Sequence, residues 1–399
     1  GKENGVHVHN NGLGEFEGND IFENTEAGIK VETGGNPVFK LNHIHDGKEN
    51  GIHVQNNGLG YFEENEIDLN ALPGINIETG SNPEFKRNSI HDGKESGIFV
   101  HNNGQGIITE NEIFSNQMAG MEVKTGGIPT VTKNIIHDGQ DNGVFVHDNG
   151  YGTFEENDVF GNAISGFEIK SGGNPTLRVN VIREGKQAGV HVHENGQGVL
   201  FMNDIMANAL TGICVKTGGN PMVKRNTIHE GKETGVSVTE SGLGTFEENV
   251  IFKNASAGVE VCLGGNPTFR KGNYIHDGCK AGVLVWNNGL GVFEDNKIFA
   301  NTGPGIEVES NGNPTFKANQ VYNGKGSGIH VHDDGKGTFT DNEIYGNSLP
   351  GVEVYTAGNP TLRKNIIRDG ASCGIFADRN GQGMFEENDI FGNAKSGVE

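Results

Sequence analysis

Written in rows of 23 residues, the chain shows a single hydrophobic and polar pattern from end to end. Each row opens on a Gly (Gly5, Gly28, Gly51, Gly74, on to Gly397) and continues with an apolar-polar-apolar triplet such as Val6-His7-Val8. A second triplet carries its apolar residue in the middle, at Phe16, Phe39, Phe62 and Phe85. A third repeats that form at Ile21, Ile44, Ile67 and Ile90. Between these two lies an Asn in all seventeen rows, from Asn19, Asn42 and Asn65 through Asn273 to Asn388. Period-two alternation over short stretches bounded by Gly and Asn predicts strands. A helix of about ten residues does not fit between glycines this dense.

Three strands per row, with like residues in register from row to row, predict an all-β chain. The expected architecture is a right-handed parallel β-helix solenoid of about 17 coils of 23 residues, a single continuous domain over 1–399. Pro37, Pro83, Pro129, Pro175, Pro221, Pro267, Pro314 and Pro360 recur at steps of 46, with one step of 47, so the coils pair into 46-residue repeats. The one extra residue falls near Arg270-Lys271-Gly272 and is the size of a bulge. The Asn19 column reads as an internal ladder of side-chain amides. The column Asn24, Gly47, Asn70, Gly93 alternates Asn with Gly to the end of the chain, which predicts a left-handed bend at that residue in every coil.

Composition changes this picture little. Only 33% of residues are hydrophobic and 65 of 399 are Gly, a profile otherwise typical of disorder, but disordered tracts lack such columns. No apolar run reaches the roughly 20 residues of a spanning helix, so no membrane partner is expected. The net charge of −22, without a basic stripe, argues against nucleic acid. Cys214, Cys262, Cys279 and Cys373 follow no paired or metal-ligand spacing and read as free thiols, which favours a reducing, cytoplasmic location.

Two phrases carry a family resemblance: Gly-Asn-Pro-x-x-x-x-Asn-x-Ile-His-Asp-Gly and Gly-x-Gly-x-Phe-Glu-x-Asn-x-Ile-Phe. Residues 33–60 show the pattern, with Thr33-Gly-Gly-Asn-Pro37, Asn42, Ile44-His-Asp-Gly47, Gly51-Ile-His-Val54 and Asn57-Gly-Leu-Gly60. The whole chain resembles the β-helix repeats of F-box-only proteins and of carbohydrate-binding proteins and sugar hydrolases. The first resemblance implies the substrate-recognition part of a cullin–RING ubiquitin ligase. The second implies a carbohydrate-binding or carbohydrate-modifying protein, with an extracellular setting.

Three features invite a chemical reading. His45-Asp46, His91-Asp92, His137-Asp138 and His276-Asp277, with His229-Glu230 as a variant, pair an imidazole with a carboxylate. Their return every second coil reads as a surface ladder rather than a catalytic site. The Gly12/Gly14 and Gly58/Gly60 pairs sit between strands and open no helix, so they are not a nucleotide cradle. With one inserted residue in the chain, no loop walls a pocket, and neither catalytic residues nor a cofactor is expected.

The third feature is a ribbon of outward strand positions. If Val6 and Val8 point inward, His7 and His9 point outward. The same columns bring His53, Phe99, His101, Phe145, His147, His191, His193, Trp286, His330 and His332 to one face, alternating with a mainly acidic set that includes Glu78, Glu122 and Glu307. That ribbon is the candidate partner-binding face for a protein or extended peptide, with a glycan as the alternative ligand. Two imidazoles such as His191 and His193 make an incomplete metal site, so no metal is expected. A third reading is a structural rod that self-associates end to end. Neither end shows the polar cap that a solenoid needs, so the chain is expected to be an internal part of a longer protein.

Overall fold

The computed structural model describes all 399 residues. The chain is an all-β, right-handed parallel solenoid of about 17 coils, built from 51 strands of three residues in three parallel sheets. In the first coil these are β1 (Val6–Val8), β2 (Glu15–Glu17) and β3 (Asp20–Phe22), and they found sheets 1, 2 and 3. The register between coils is 23 residues, as in Val6↔Ile29, Phe16↔Phe39 and Ile21↔Ile44. No helix is long and apolar enough to cross a membrane.

Two compact units are distinguished, residues 1–191 with 195–204, and residues 192–194 with 205–399. In the first, sheet 1 runs in ladder register from Val6–Val8 to Phe167–Ile169, and Phe16, Phe39, Phe62 and Phe85 stack inside with ring centroids 4.5–5.4 Å apart. In the second, sheet 1 runs from Ile213–Val215 to Ile375–Ala377, and Phe246, Phe269, Phe293, Phe316 and Phe339 stack at 4.2–5.4 Å. The inward triplet positions are dry: Ile29, Val31, Phe39 and Ile44 in one coil are 0% exposed. Each such side chain contributes about 1.5–3 kcal/mol on burial.

The expected amide ladder is present. The Asn42 backbone N–H and Nδ2 both donate to Asn65 Oδ1, at 3.0 and 2.9 Å, and Asn42 Nδ2 also donates to the Phe16 carbonyl at 3.0 Å. Each buried amide thus bonds to coils on both sides, which is how a polar residue is held inside so small a core.

The left-handed bend lies one residue earlier than the Asn/Gly column suggests. Glu23, Asp46, Leu69 and Asp92 hold φ of 50–53°, whereas Asn24 and Gly47 are not left-handed. In the IHDG phrase it is therefore the Asp, not the Gly, that takes the strained conformation. The alternation has another cause. Gly47 N–H donates to Asn70 Oδ1 at 3.0 Å, Asn70 Nδ2 donates to Ile44 O at 3.1 Å, and a Cβ on Gly47 would sit 2.8 Å from Asn70 Oδ1. One Asn fills the space of two coils, and its neighbour must be Gly. The row-opening glycines are likewise steric: a Cβ on Gly51 would lie 2.7 Å from the Gly74 carbonyl and 2.7 Å from Ile67.

The inserted residue is absorbed as expected. Lys271 and Gly272 both turn left-handed, at φ 59° and 82°, and the strand that follows, Tyr274–His276, pairs in register with Val250–Phe252.

Candidate functional site

Strand Val6–Val8 shows why the sheet 1 face is chemically loaded. Its outer residues have no core to fill, and the coil spacing of about 4.8 Å brings side chains of successive coils into contact. The recurring contact joins one residue to another 25 further along, on the next coil. His7 Nε2 lies 2.9 Å from Glu32 Oε1, and His53 Nε2 lies 2.9 Å from Glu78 Oε1. His101 Nε2 lies 3.0 Å from Asn76 Oδ1, and His147 Nε2 lies 3.1 Å from Glu122 Oε1.

Aromatic rings complete the first unit's ribbon. Phe99 stacks on His101 with centroids 4.2 Å apart, and Phe145 on His147 at 4.1 Å. Lys124 and Lys170 cap the two phenyl rings at 4.8 and 5.3 Å. Most of these side chains are half-buried by their neighbours, and His147 and His193 are only 8% exposed. The ribbon is therefore less open than alternation alone implies, because each carboxylate folds over the adjacent imidazole. His191 and His193 sit in and just past strand Val190–Val192.

Electrostatics follow from that packing. Burial alone would raise the Glu122 carboxyl, but the His147 hydrogen bond and the Lys124 ammonium outweigh it and hold the group below the usual carboxylate range. Glu78 is held low the same way, by His53 and Asn102 against its burial. His101 is pushed down, chiefly by burial, so its ring is neutral at physiological pH.

In the second unit the ribbon is richest at Glu307, His330 and His332. Glu307 Oε1 is 3.3 Å from His332 Nε2 and 4.0 Å from His330 Nδ1, and the two imidazoles stack with centroids 4.2 Å apart. His332 Nδ1 is 2.9 Å from Asp333 Oδ2. The Glu307 and Asp333 hydrogen bonds hold His332 protonated, with its pKa raised to about 9, whereas burial and the adjacent His332 charge push His330 down. Beside the pair lies a shallow hollow of about 360 Å³ lined by His330, His332, Glu353, Tyr355, Thr356 and Arg379. Trp286 lies on the same face, its indole N–H donating to Glu260 at 2.9 Å.

Sheet 3 holds a continuous aromatic column, of which the sequence reading picked out the recurring His-carboxylate pairs. His229, Phe252, His276, Phe299, Tyr322 and Tyr345 stack face to face at 4.6–5.3 Å, and Arg368 caps the last ring at 4.5 Å. In the first unit His91, Phe114, His137 and Phe160 stack likewise under Arg183. Each IHDG imidazole is tied to its own Asp at 2.7–2.8 Å, as at His91-Asp92 and His276-Asp277. The signal was the His/Phe alternation at a spacing of 23.

The chain belongs to the right-handed β-helix family: the model of a right handed beta helix region matches residues 1–128, 119–272, 211–348 and 311–399, which together span it. No curated protein matches the sequence. Among solved structures, the periplasmic alginate epimerase AlgG is similar at 13% identity and a TM-score of 0.38, over 85% of this chain and 76% of that one. The Azotobacter vinelandii mannuronan C-5 epimerase AlgE4 A-module is similar at 15% identity and 0.32, over 86% and 88%. A TibC-catalyzed hyper-glycosylated TibA fragment is similar at 14% and 0.28, over 99% of each.

Proposed function

We propose that this chain is a non-catalytic binding scaffold that holds an extended, uncharged glycan along the outer face of sheet 1. The observation that carries the reading is the two-coil alternation of imidazole or aromatic groups with carboxylates, repeating at about 9.6 Å from the strand spacing. A ligand of matching period is itself a repeating polymer. Carboxylates such as Glu78 and Glu353 accept hydrogen bonds from hydroxyl groups, and ring edges supply apolar contact. Their charge, with −22 on the chain, disfavours a polyanion. No connection between strands exceeds six residues, so nothing walls a cleft for catalysis.

Recognition of a protein partner, including the ubiquitin-ligase role that the repeat resemblance implies, is the second reading. It is the weaker one because interior strands of sheet 1, such as Ile75–Ile77, are paired on both sides. An extended peptide finds no free edge to extend there. Calorimetric titration with uncharged β-linked oligosaccharides, alginate oligomers and strand-forming peptides tests the choice. Affinity for the uncharged series should rise with each added pair of sugars and fall at least tenfold in a His53→Ala, Glu78→Gln variant. Binding of peptides alone, or of none of the three, would overturn it.

A further inference from the structure

The outer face of sheet 3 breaks its own pattern in the first three coils. Down the column that begins at Phe22, residues are rings, Arg or Met, except for one carboxylate, Asp68. Down the column that begins at Asp20, His43 is the single imidazole. The two departures are adjacent, and they place Asp20, His43, His45 and Asp68 together.

Their geometry is specific. His45 Nε2 lies 2.9 Å from Asp20 Oδ1, and His43 Nδ1 lies 4.0 Å from the same oxygen. One nitrogen of each ring thus faces Asp20. The other nitrogen of each ring is held by a separate carboxylate: His45 Nδ1 lies 2.8 Å from Asp46 Oδ2, and His43 Nε2 lies 2.8 Å from Asp68 Oδ1. Asp46 and Asp68 favour protons on His45 Nδ1 and His43 Nε2, so the proton that His45 Nε2 shares with Asp20 is the one a metal ion would displace. With that proton displaced, the two lone pairs point toward Asp20. A histidine whose remote N–H is anchored by a carboxylate is the usual arrangement of a metal ligand.

We propose that Asp20, His43 and His45 bind a divalent transition-metal ion of the zinc class, with Asp46 and Asp68 orienting the two imidazoles. Ligand atoms around a tetrahedral zinc lie about 3.4 Å apart, given bonds near 2.0–2.2 Å. The three atoms here already lie within 4.8 Å of one another, and the Asp20 contacts of 2.9 and 4.0 Å bracket that value. Two imidazoles and one carboxylate suit zinc over the hard, oxygen-preferring calcium and magnesium. The fourth position faces solvent, since Asp20 and His43 are 63% and 39% exposed, and takes a water molecule.

The constellation has a sequence signature: a carboxylate, then His-x-His beginning 23 residues later. It recurs as Glu168 with His191 and His193 and as Glu307 with His330 and His332, so the assay must be residue-specific. Chelator-stripped full chain is titrated with Zn²⁺ by calorimetry, while ring nitrogens are followed by long-range ¹H–¹⁵N correlation. Zinc should shift His45 Nε2 and His43 Nδ1 while both remote N–H groups stay protonated. A His43→Gln, His45→Gln variant should lose one equivalent of bound zinc. Asp46→Asn should keep that equivalent but weaken it by about 10–100-fold. Should the double variant not fold by circular dichroism, Asp20→Asn removes the third ligand from an exposed side chain and should weaken the same equivalent at least tenfold. Unmoved His43 and His45 resonances at saturating zinc, or unchanged stoichiometry and affinity in a folded variant, would overturn the assignment.

Discussion

Replacing Asn157 by Leu is the sharpest test of what holds the coils together. The side chain is 1% exposed and nearly the size of Leu, so the change tests hydrogen bonding more than volume. Asn157 Oδ1 accepts from the Asn134 backbone N–H at 2.9 Å and from Asn134 Nδ2 at 3.0 Å. Its own Nδ2 donates to Val131 O at 3.0 Å and Asn180 Oδ1 at 2.9 Å. Leucine retains only the two backbone bonds, its N–H donating to Asn180 Oδ1 at 3.0 Å and its carbonyl accepting from Val181 N–H at 2.9 Å. Asn134 Nδ2 keeps the Ile108 and Thr132 carbonyls, so the group left wholly without a partner is the Asn134 N–H. Orphaning one buried N–H costs about 1–3 kcal/mol, and each further lost bond about 1 kcal/mol. The added apolar burial of Leu returns about 1 kcal/mol. The expected loss is about 3–5 kcal/mol.

A solenoid need not unfold in one step, so a bulk melting curve is the wrong instrument. Native-state hydrogen exchange reads the site itself. Protection of the Asn134 amide should fall by about 150- to 5000-fold, the equivalent of that loss. The exposed control Lys94→Gln should leave it within about 0.5 kcal/mol of wild type. If Asn134 keeps wild-type protection in the Leu variant, the ladder is not what ties these coils, and neighbour packing alone suffices.

Two further outcomes follow from the same coordinates. His332 should titrate near pH 9 by NMR, and because its folded pKa lies above the unfolded value near 6.5, its stabilisation is complete below about pH 6.5 and lost as pH rises through 9. Glu307→Gln should bring that midpoint back toward 6.5, and a midpoint still near 9 would rule out Glu307 as the cause. Gly51→Ala, whose Cβ would meet backbone and side chain at 2.7 Å, should destabilise by about 1–3 kcal/mol or more. Gly18→Asn, left-handed at φ 66° with open space around it, should cost under about 1 kcal/mol by denaturation, and equal costs would refute the steric account.

The fold was legible because every coil repeats the same inward set. Seventeen instances of Asn19-type and Ile21-type residues leave no other register. The left-handed bend was misplaced by one residue for a physical reason. Left-handed residues here include Leu41, Leu69 and Val179, types that conformational preference alone would pass over. Leu41 and Val179 hold the conformation with N–H groups bonded forward to the next coil, to Glu63 O at 3.2 Å and Phe201 O at 3.1 Å. Propensity pointed instead to Asn24 and Gly47, whose identities are set by contacts between coils. The ribbon was legible as a face but not as a network, because the 25-residue diagonal from His53 to Glu78 depends on side-chain reach. The Asp20, His43, His45 group stayed hidden for a related reason: His45 falls in a different column from Asp20 and His43, and only the fold makes the three one cluster.

The same packing explains why an outer face repeats every 46 residues when the coil needs only 23. Inside, Asn70 bonds Gly47 N–H and Ile44 O of the coil below and fills the space a side chain at 47 would need, so Asn and Gly must alternate. At the corner before sheet 2, Gly60 takes φ 130° between Pro37 and Pro83 of the adjacent coils, so Gly and Pro alternate as well. At the corner after sheet 1, a Cβ on Gly80 would lie 2.7 Å from Asn57 Oδ1, which sets a third alternation. Each is a steric choice that a coil imposes on its neighbour. The outer residues His53 and Glu78 are under no such constraint, yet they keep the two-coil rhythm: the imidazole stands on the coil with Asn57, the carboxylate on the coil with Gly80. Sterics therefore fix the period, and the charge pattern uses it. The glycan reading proposed above rests on that period, since a repeating polymer carries one of its own.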